Sequence, residues 1–220
     1  MTESPTLDVE RDLHAQGFQF VAGVDEVGRG ALAGPVTVGV AVVDRNVAQI
    51  PEGLRDSKQM TAKARAAIAP RVEGWVVDHG LGSASAEEID QIGIVLALKL
   101  AWTRAYDSLK HKPQAVILDG KHNWLNVQNN ELFASEIPTI EIPVTMKVKA
   151  DTYCASVAAA SVLAKVSRDE YMQQLSVQFP QYGWHSNVGY GAAVHLAAIA
   201  SHGPTEFHRK SWSLPEHQKG

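Results

Sequence analysis

With 220 residues, 45% of them apolar and 20% charged, the chain suits one packed α/β domain with at most a small appendage, and disorder is excluded. A single cysteine, Cys154, excludes an internal disulfide and a cysteine-based zinc site, and no apolar run is long enough to span a bilayer. The net charge of −4 argues against a general nucleic-acid binder, although phosphate contacts require only local positive potential. No basic start followed by an apolar stretch marks the N-terminus, so a soluble, cytoplasmic protein without membrane association is expected.

Residues 18–24 read as a strand and residues 36–43 as a second, β-branched one, joined by the Gly-rich segment 28–35. A third strand is expected at residues 75–80. Ser85, with Glu88 three positions on, forms a capping-box pattern, and the helix that follows carries Ile89, Ile92, Leu96 and Leu100 on one face. Residues 115–118 form a short apolar strand ending at Asp119, and residues 137–147 another, broken by Pro143. A long helix is expected over residues 157–175, where the small residues at 158–161 permit close packing. A last helix covers residues 192–201, ahead of the basic tail His208-Arg209-Lys210. Strands followed by helices indicate an α/β fold with a central sheet.

Asp25 and Glu26 are adjacent carboxylates at the end of an apolar strand. Neighbours on a strand point to opposite faces, so they share a site only where the strand ends or bends, and Gly28 and Gly30 supply a bend. Taken alone the pair reads as an exposed acidic turn. Asp119 stands in an equivalent place after Val116-Ile117-Leu118, at the strand end where open α/β sheets bind ligands. Asp151, ahead of the small-residue helix, reads either as a cap that offsets the helix dipole or as a fourth member of the set. Asp169 reads as an ion-pair partner of Arg168 or as a group supporting the site. Carboxylates converging without His or Cys make an oxygen-rich site suited to Mg²⁺ or Mn²⁺. Such sites hydrolyse phosphodiesters with two ions about 4 Å apart. Gly28-Arg29-Gly30 with Ala33 also matches a dinucleotide-binding pattern, but that pattern needs a helix next, and Gly34-Pro35 with a run of valines follows instead.

These residues resemble the bacterial type 2 ribonuclease H family (ribonuclease HII). The resemblance rests on Asp25-Glu26-Val27-Gly28-Arg29-Gly30, Asp56-Ser57-Lys58, Leu118-Asp119-Gly120 and Lys149-Ala150-Asp151 running into the segment 156–166. Tyr182-Gly183, Gly189-Tyr190 and the segment from His202-Gly203 to His208-Arg209 complete it. It covers about residues 18–212 and leaves residues 1–17 outside. It implies a ribonuclease H-like mixed central sheet flanked by helices over residues 18–180, with a helical extension and tail over 181–220. It further implies an endonuclease that cleaves RNA in RNA–DNA hybrids and incises 5′ of ribonucleotides embedded in duplex DNA, leaving 3′-hydroxyl and 5′-phosphate ends. Carried over by position, Asp25, Glu26, Asp119 and Asp151 would be the catalytic metal ligands for two Mg²⁺ or Mn²⁺ ions. Gly28, Arg29 and Gly30 would read the 2′-hydroxyl, and Tyr190 would stack on the next sugar. Lys58, Lys147, Lys149, Lys165 and Arg209 are candidates for a basic rim.

Nine histidines show no tight ligand spacing, Cys154 is expected to be a small buried thiol, and Trp124 and Trp184 read as structural residues more than as base-stacking ones. The alternatives are a hybrid-binding module without catalysis, or another metal nuclease of the same fold. A monomer is the default expectation, and residues 213–220 show no clear clamp-binding pattern.

Overall fold

The computed structural model describes residues 4–126 and 137–216. Five strands, β1 (Phe20–Val27), β2 (Val36–Asp44), β3 (Asp78–Ala84), β4 (Ala115–Asp119) and β5 (Val144–Lys147), form one sheet in the order β3-β2-β1-β4-β5. β2 runs antiparallel to β1 and β3, whereas β1, β4 and β5 are parallel. Helices α1 (Asp8–Ala15), α2 (Ala62–Trp75), α3 (Ala86–Ser108), α4 (Ala150–Tyr153), α5 (Ala155–Gln178), α6 (Trp184–Asn187) and α7 (Ala193–His202) complete the chain.

Both faces of the sheet are covered, which is why β1 and β2 are nearly continuous apolar runs. On one face Val21, Ala41, Val43 and Ile117 pack with α2 and α5; on the other Val24, Val38, Val40, Val116 and Leu118 pack with α3. The small residues of α5 do what the sequence promised. A Cβ at Gly23 or Gly39 would collide with the α5 backbone at Ser156 or Ala160, so the helix lies directly on the strands.

Several expectations need correction. β1 continues through Val27, so Asp25 and Glu26 lie within its last three residues and alternate across it before the chain reaches Gly28. The third strand is Asp78–Ala84, because its glycines at 80 and 82 are what let the sheet edge approach the carbonyls of Ala105 and Ala101 in α3. Of residues 137–147 only Val144–Lys147 is strand, in keeping with Pro143 having no N–H to give the ladder. Ser85 and Glu88 do form the reciprocal capping box. The α3 face then shifts at Gly93 (φ 74°), after which Ala97, Leu98, Ala101, Trp102 and Ala105 are the buried apolar residues, with Leu96 and Leu100 only partly covered. Within residues 1–17, α1 buries Leu13, and Glu10 accepts hydrogen bonds from the Ser156 N–H and hydroxyl at 2.8 and 2.6 Å. A third apolar cluster joins Ala33, Met172 and Leu175 to Tyr182, Trp184, Ala198 and Ile199. The tail at residues 213–220 is described only to 216.

Candidate active site

Parallel pairing of β1 with β4, in the register Val24 to Leu118, brings Asp25 and Asp119 to neighbouring C-terminal strand ends. Asp25 is buried on the α5 side, hydrogen-bonded to Ser161, whose hydroxyl also meets that of Ser57 at 2.8 Å. Burial pushes its carboxyl up to about 7, with the charges of Glu26 and Asp119 adding to the rise and Ser161 and Lys58 opposing it. Glu26 is likewise raised by burial and by Asp119, against its 3.3 Å ion pair with Arg29. Asp119 accepts the Ala150 N–H at 2.7 Å, and Asp151, in the first turn of α4, accepts from the Lys58 ammonium at 3.0 Å. Burial and the Asp119 charge raise the Asp151 carboxyl, and Lys58 lowers it.

The Asp119 charge therefore raises the proton affinity of Asp25, Glu26 and Asp151 alike. Each is turned toward a protein donor, and among the described residues no three His, Cys, Asp or Glu side chains are gathered around a common point. The donor set nonetheless fits a hard divalent ion: it is all oxygen, partly desolvated, and short of positive charge. Lys58 supplies the nearest fixed cation. Burial alone would lower its ammonium, but the hydrogen bond to Asp151 and the charges of Asp25, Asp151 and Asp56 raise it above the ordinary lysine value.

Lys58 is held by a short 3-10 turn at Ser57–Gln59, capped by Asp56 through the Lys58 N–H at 2.8 Å. Arg65 braces this turn by donating to the Ser57 and Met60 carbonyls at 2.9 and 2.6 Å and pairing with Asp169 at 3.3 Å. Asp169 also pairs with Lys165 at 2.7 Å. Asp169 is thus tied to Arg65 and Lys165, not to Arg168 beside it, because residues one apart on a helix face different ways. Lys165, largely covered and engaged there, is not a free phosphate contact.

The segment 28–35 is organised from beneath by two buried arginines. Arg168 donates to the Pro35, Val188 and Ala33 carbonyls at 2.8, 2.9 and 3.1 Å. Arg209 donates to the Gly28, Arg29 and Gly34 carbonyls at 2.6, 2.8 and 3.2 Å. Neither guanidinium makes a carboxylate ion pair among the described residues. With its carbonyls drawn inward, the loop meets Tyr190 on its outer side: the Gly28 N–H donates to the Tyr190 hydroxyl at 3.2 Å. Val188, two residues before Tyr190, has φ 43°, a strained conformation for a β-branched residue that the Arg168 contact helps to hold.

With this geometry in place the relatives decide the family. A family model described as Ribonuclease HII matches residues 22–214. The chain belongs to the ribonuclease HII family. A Ribonuclease HII of Streptomyces avermitilis is 46% identical over 212 residues, covering 96% of this chain and 84% of that protein. The ribonuclease H2 of Pyrococcus horikoshii OT3 superposes with a TM-score of 0.69 at 29% identity, over 88% of this chain and 94% of that one. Bst-RNase HIII in complex with Mn²⁺ gives 0.67 at 25% identity, over 91% and 69%. The protein is accordingly a nuclease of the ribonuclease H type on a mixed five-stranded sheet flanked by helices.

The sequence-derived residues fall into two groups. Asp25, Glu26, Asp119, Asp151 and Lys58 lie together, and Gly28, Arg29, Gly30 and Tyr190 lie beside them. Lys147 and Lys149 are exposed where β5 runs into α4, with Lys147 paired to Asp119 across the ladder. Arg209 is no rim residue: it is fully buried under the loop. Trp124 and Trp184 are buried, and so is Cys154. In the sequence Arg65 carries no role, Ser161 only a packing one and Arg168 only a pairing with Asp169. Only Arg168 left a signal there, standing four residues from Ala164 and from Met172 on the buried stripe of α5. A cavity of about 420 Å³ lined by Gly34, Pro35, Arg168 and Tyr171 lies behind the loop, away from the carboxylates. No helix among the described residues is long and apolar enough to cross a membrane.

Proposed function

We propose that this ribonuclease HII hydrolyses the RNA strand of RNA–DNA hybrids and incises 5′ of ribonucleotides embedded in duplex DNA, leaving 3′-hydroxyl and 5′-phosphate ends. Asp25, Glu26, Asp119 and Asp151 are the residues that would hold two Mg²⁺ or Mn²⁺ ions; the manganese complex of the related Bst-RNase HIII supports this. When bound, such ions activate water and stabilise the departing oxygen.

The chain's own groups do the rest. The Lys58 ammonium orients Asp151 and favours its ionised form against the burial that raises it. Ser161 orients Asp25, and the Ala150 N–H orients Asp119. With the Gly28 and Arg29 carbonyls clamped by Arg209, the Gly28-Arg29-Gly30 loop presents its backbone to a 2′-hydroxyl, the atom that separates RNA from DNA. Tyr190 lies flat beside the following sugar, where a deoxyribose fits and a second 2′-hydroxyl crowds. Lys147 and Arg29 supply exposed cations for the phosphates.

The observation that carries the reading is the hydrogen bond from Gly28 to Tyr190, which joins the sugar-reading loop to the ring two residues from the Asp25-Glu26 pair. The test compares cleavage of all-DNA, hybrid and single-ribonucleotide duplexes with Mg²⁺, Mn²⁺ and excess EDTA. Metal-dependent incision one bond 5′ of a lone ribonucleotide is expected; cleavage of all-DNA duplex, or undiminished cleavage in EDTA, refutes it.

A further inference from the structure

Two imidazoles in the cluster around Trp184 take no part in the chemistry above. His195 and His208 are buried, with ring centroids 5.2 Å apart. Their hydrogen bonds fix every ring proton. The Trp184 indole N–H donates to His195 Nε2 at 3.0 Å, so that nitrogen carries a lone pair. The Thr205 backbone N–H donates to His208 Nδ1 at 2.9 Å, which leaves the His208 proton on Nε2. The 3.1 Å contact between the two Nε2 atoms therefore has one sense, with His208 donating and His195 accepting. His195 keeps a proton on Nδ1 and donates it to the Tyr190 carbonyl at 2.8 Å.

The direction is the same at each step, from Thr205 through His208 and His195 to Tyr190, and both rings are neutral. Burial favours that state, lowering His195 and taking His208 down to about 4. The endpoint matters because little else holds the Tyr190 ring: the residue is 37% exposed, its hydroxyl accepts from the Gly28 N–H alone among the described residues, and Arg168 lies 5.6 Å from the ring centre. Its position is set through the main chain, by the Tyr190 N–H on Asn187 and by the Ala192 and His195 donors on its carbonyl.

We infer that His195 is a positioning residue for Tyr190, with His208 and Trp184 locking the tautomer that makes it one. The inference rests on the junction-reading role proposed for Tyr190. Two substitutions separate its halves. In His195→Gln the side-chain oxygen can still accept from Trp184 and His208, but no donor remains at the Nδ1 position that faces Tyr190. In His195→Asn the amide can still donate to Tyr190, but the buried donors lose their acceptor.

The readout is the ratio of kcat/KM on a single-ribonucleotide duplex to that on a continuous hybrid, measured beside Tyr190→Ala. The expected result is that His195→Gln shifts the ratio in the direction of Tyr190→Ala, by roughly fivefold, the worth of one hydrogen bond. His195→Asn should lower the melting temperature more than His195→Gln does, yet keep the ratio within about twofold. A wild-type ratio in folded His195→Gln, where Tyr190→Ala shifts it, overturns the inference, as does an equal shift in both His195 variants. If Tyr190→Ala leaves the ratio unchanged, the junction reading fails. The positioning is then decided by ¹⁵N ring shifts: Nδ1–H on His195 with Nε2–H on His208 upholds it, and the opposite tautomers refute it.

Discussion

Gly28 and Gly30 look interchangeable in the motif, yet the structure predicts opposite outcomes for replacing them with alanine. Gly28 has φ 82°, and a Cβ there would strike the Arg168 guanidinium. A left-handed conformation costs an L-residue about 1–2 kcal/mol. Displacing Arg168 gives up at least one of its three carbonyl hydrogen bonds, each worth about 1.5–3 kcal/mol for a charged donor. Gly28→Ala should therefore destabilise the protein by about 3–5 kcal/mol, a large share of the roughly 5–15 kcal/mol typical of a folded domain. Gly30 has no atom within 4 Å of the added Cβ and no left-handed φ, so Gly30→Ala should stay within about 1 kcal/mol of wild type. Urea titration at constant m gives both values. Activity loss in Gly30→Ala then reports crowding of the bound sugar alone, because the fold is unchanged. Equal stability losses in the two variants, or none in Gly28→Ala, would refute the account of the loop.

Three further outcomes are expected. Asp119→Asn should fold and bind substrate but lose more in turnover than the roughly 10–100-fold that changes to the outer partners of metal ligands cost; single-turnover kinetics measure it, and wild-type turnover removes Asp119 from the ligand set. Asp25 has its folded-state carboxyl raised from the ordinary aspartate value to about 7, so stability is lost as pH rises from about 4 to about 7 and levels off above that. Asp25→Asn in EDTA at pH 8 should therefore be more stable than wild type, by up to about 4 kcal/mol, while losing the rise in melting temperature that Mg²⁺ gives wild type. A less stable variant, or a retained Mg²⁺ response, contradicts this. His208 runs the other way: burial, His195 and Lys210 hold it down to about 4, so stability is lost as pH falls from about 6.5 through 4. The difference between wild type and His208→Gln isolates that slope from the opposite contributions of Asp25 and Glu10, and its size should reach up to about 3 kcal/mol at pH 4.

The sequence revealed those parts of the molecule whose signal is local. β1, β2 and β4 are apolar runs bounded by glycine or aspartate, and Ser85 with Glu88 announces the start of α3. β3 was misplaced because Trp75, Val76 and Val77 have the higher β-propensity, whereas Asp78–Ala84 is strand for a tertiary reason, the fit of its glycines against α3. α2 went unseen because its alanines mark no face, and α1 because only Leu13 and Glu10 are buried from it. At the site the carboxylates and Gly28-Arg29-Gly30 were legible as motif, but their partners were not. Arg65, Arg168 and Arg209 act through backbone carbonyls, the last two through carbonyls far away in the chain, and a carbonyl leaves no trace in side-chain identity. His195 and His208 were dismissed as metal ligands for want of spacing; what they make is a hydrogen-bonded pair across 13 residues.

Arg168 and Arg209 also bear on how the enzyme responds to ionic strength. Surface cations such as Lys147 lose their hold on phosphate as salt rises, because mobile ions compete for the same charge. The two buried guanidiniums are sealed from those ions, and their carbonyl partners are neutral. Added salt should therefore weaken binding to every duplex while leaving the shape of the Gly28-Arg29-Gly30 loop intact. Affinity would fall, and discrimination between ribose and deoxyribose would persist.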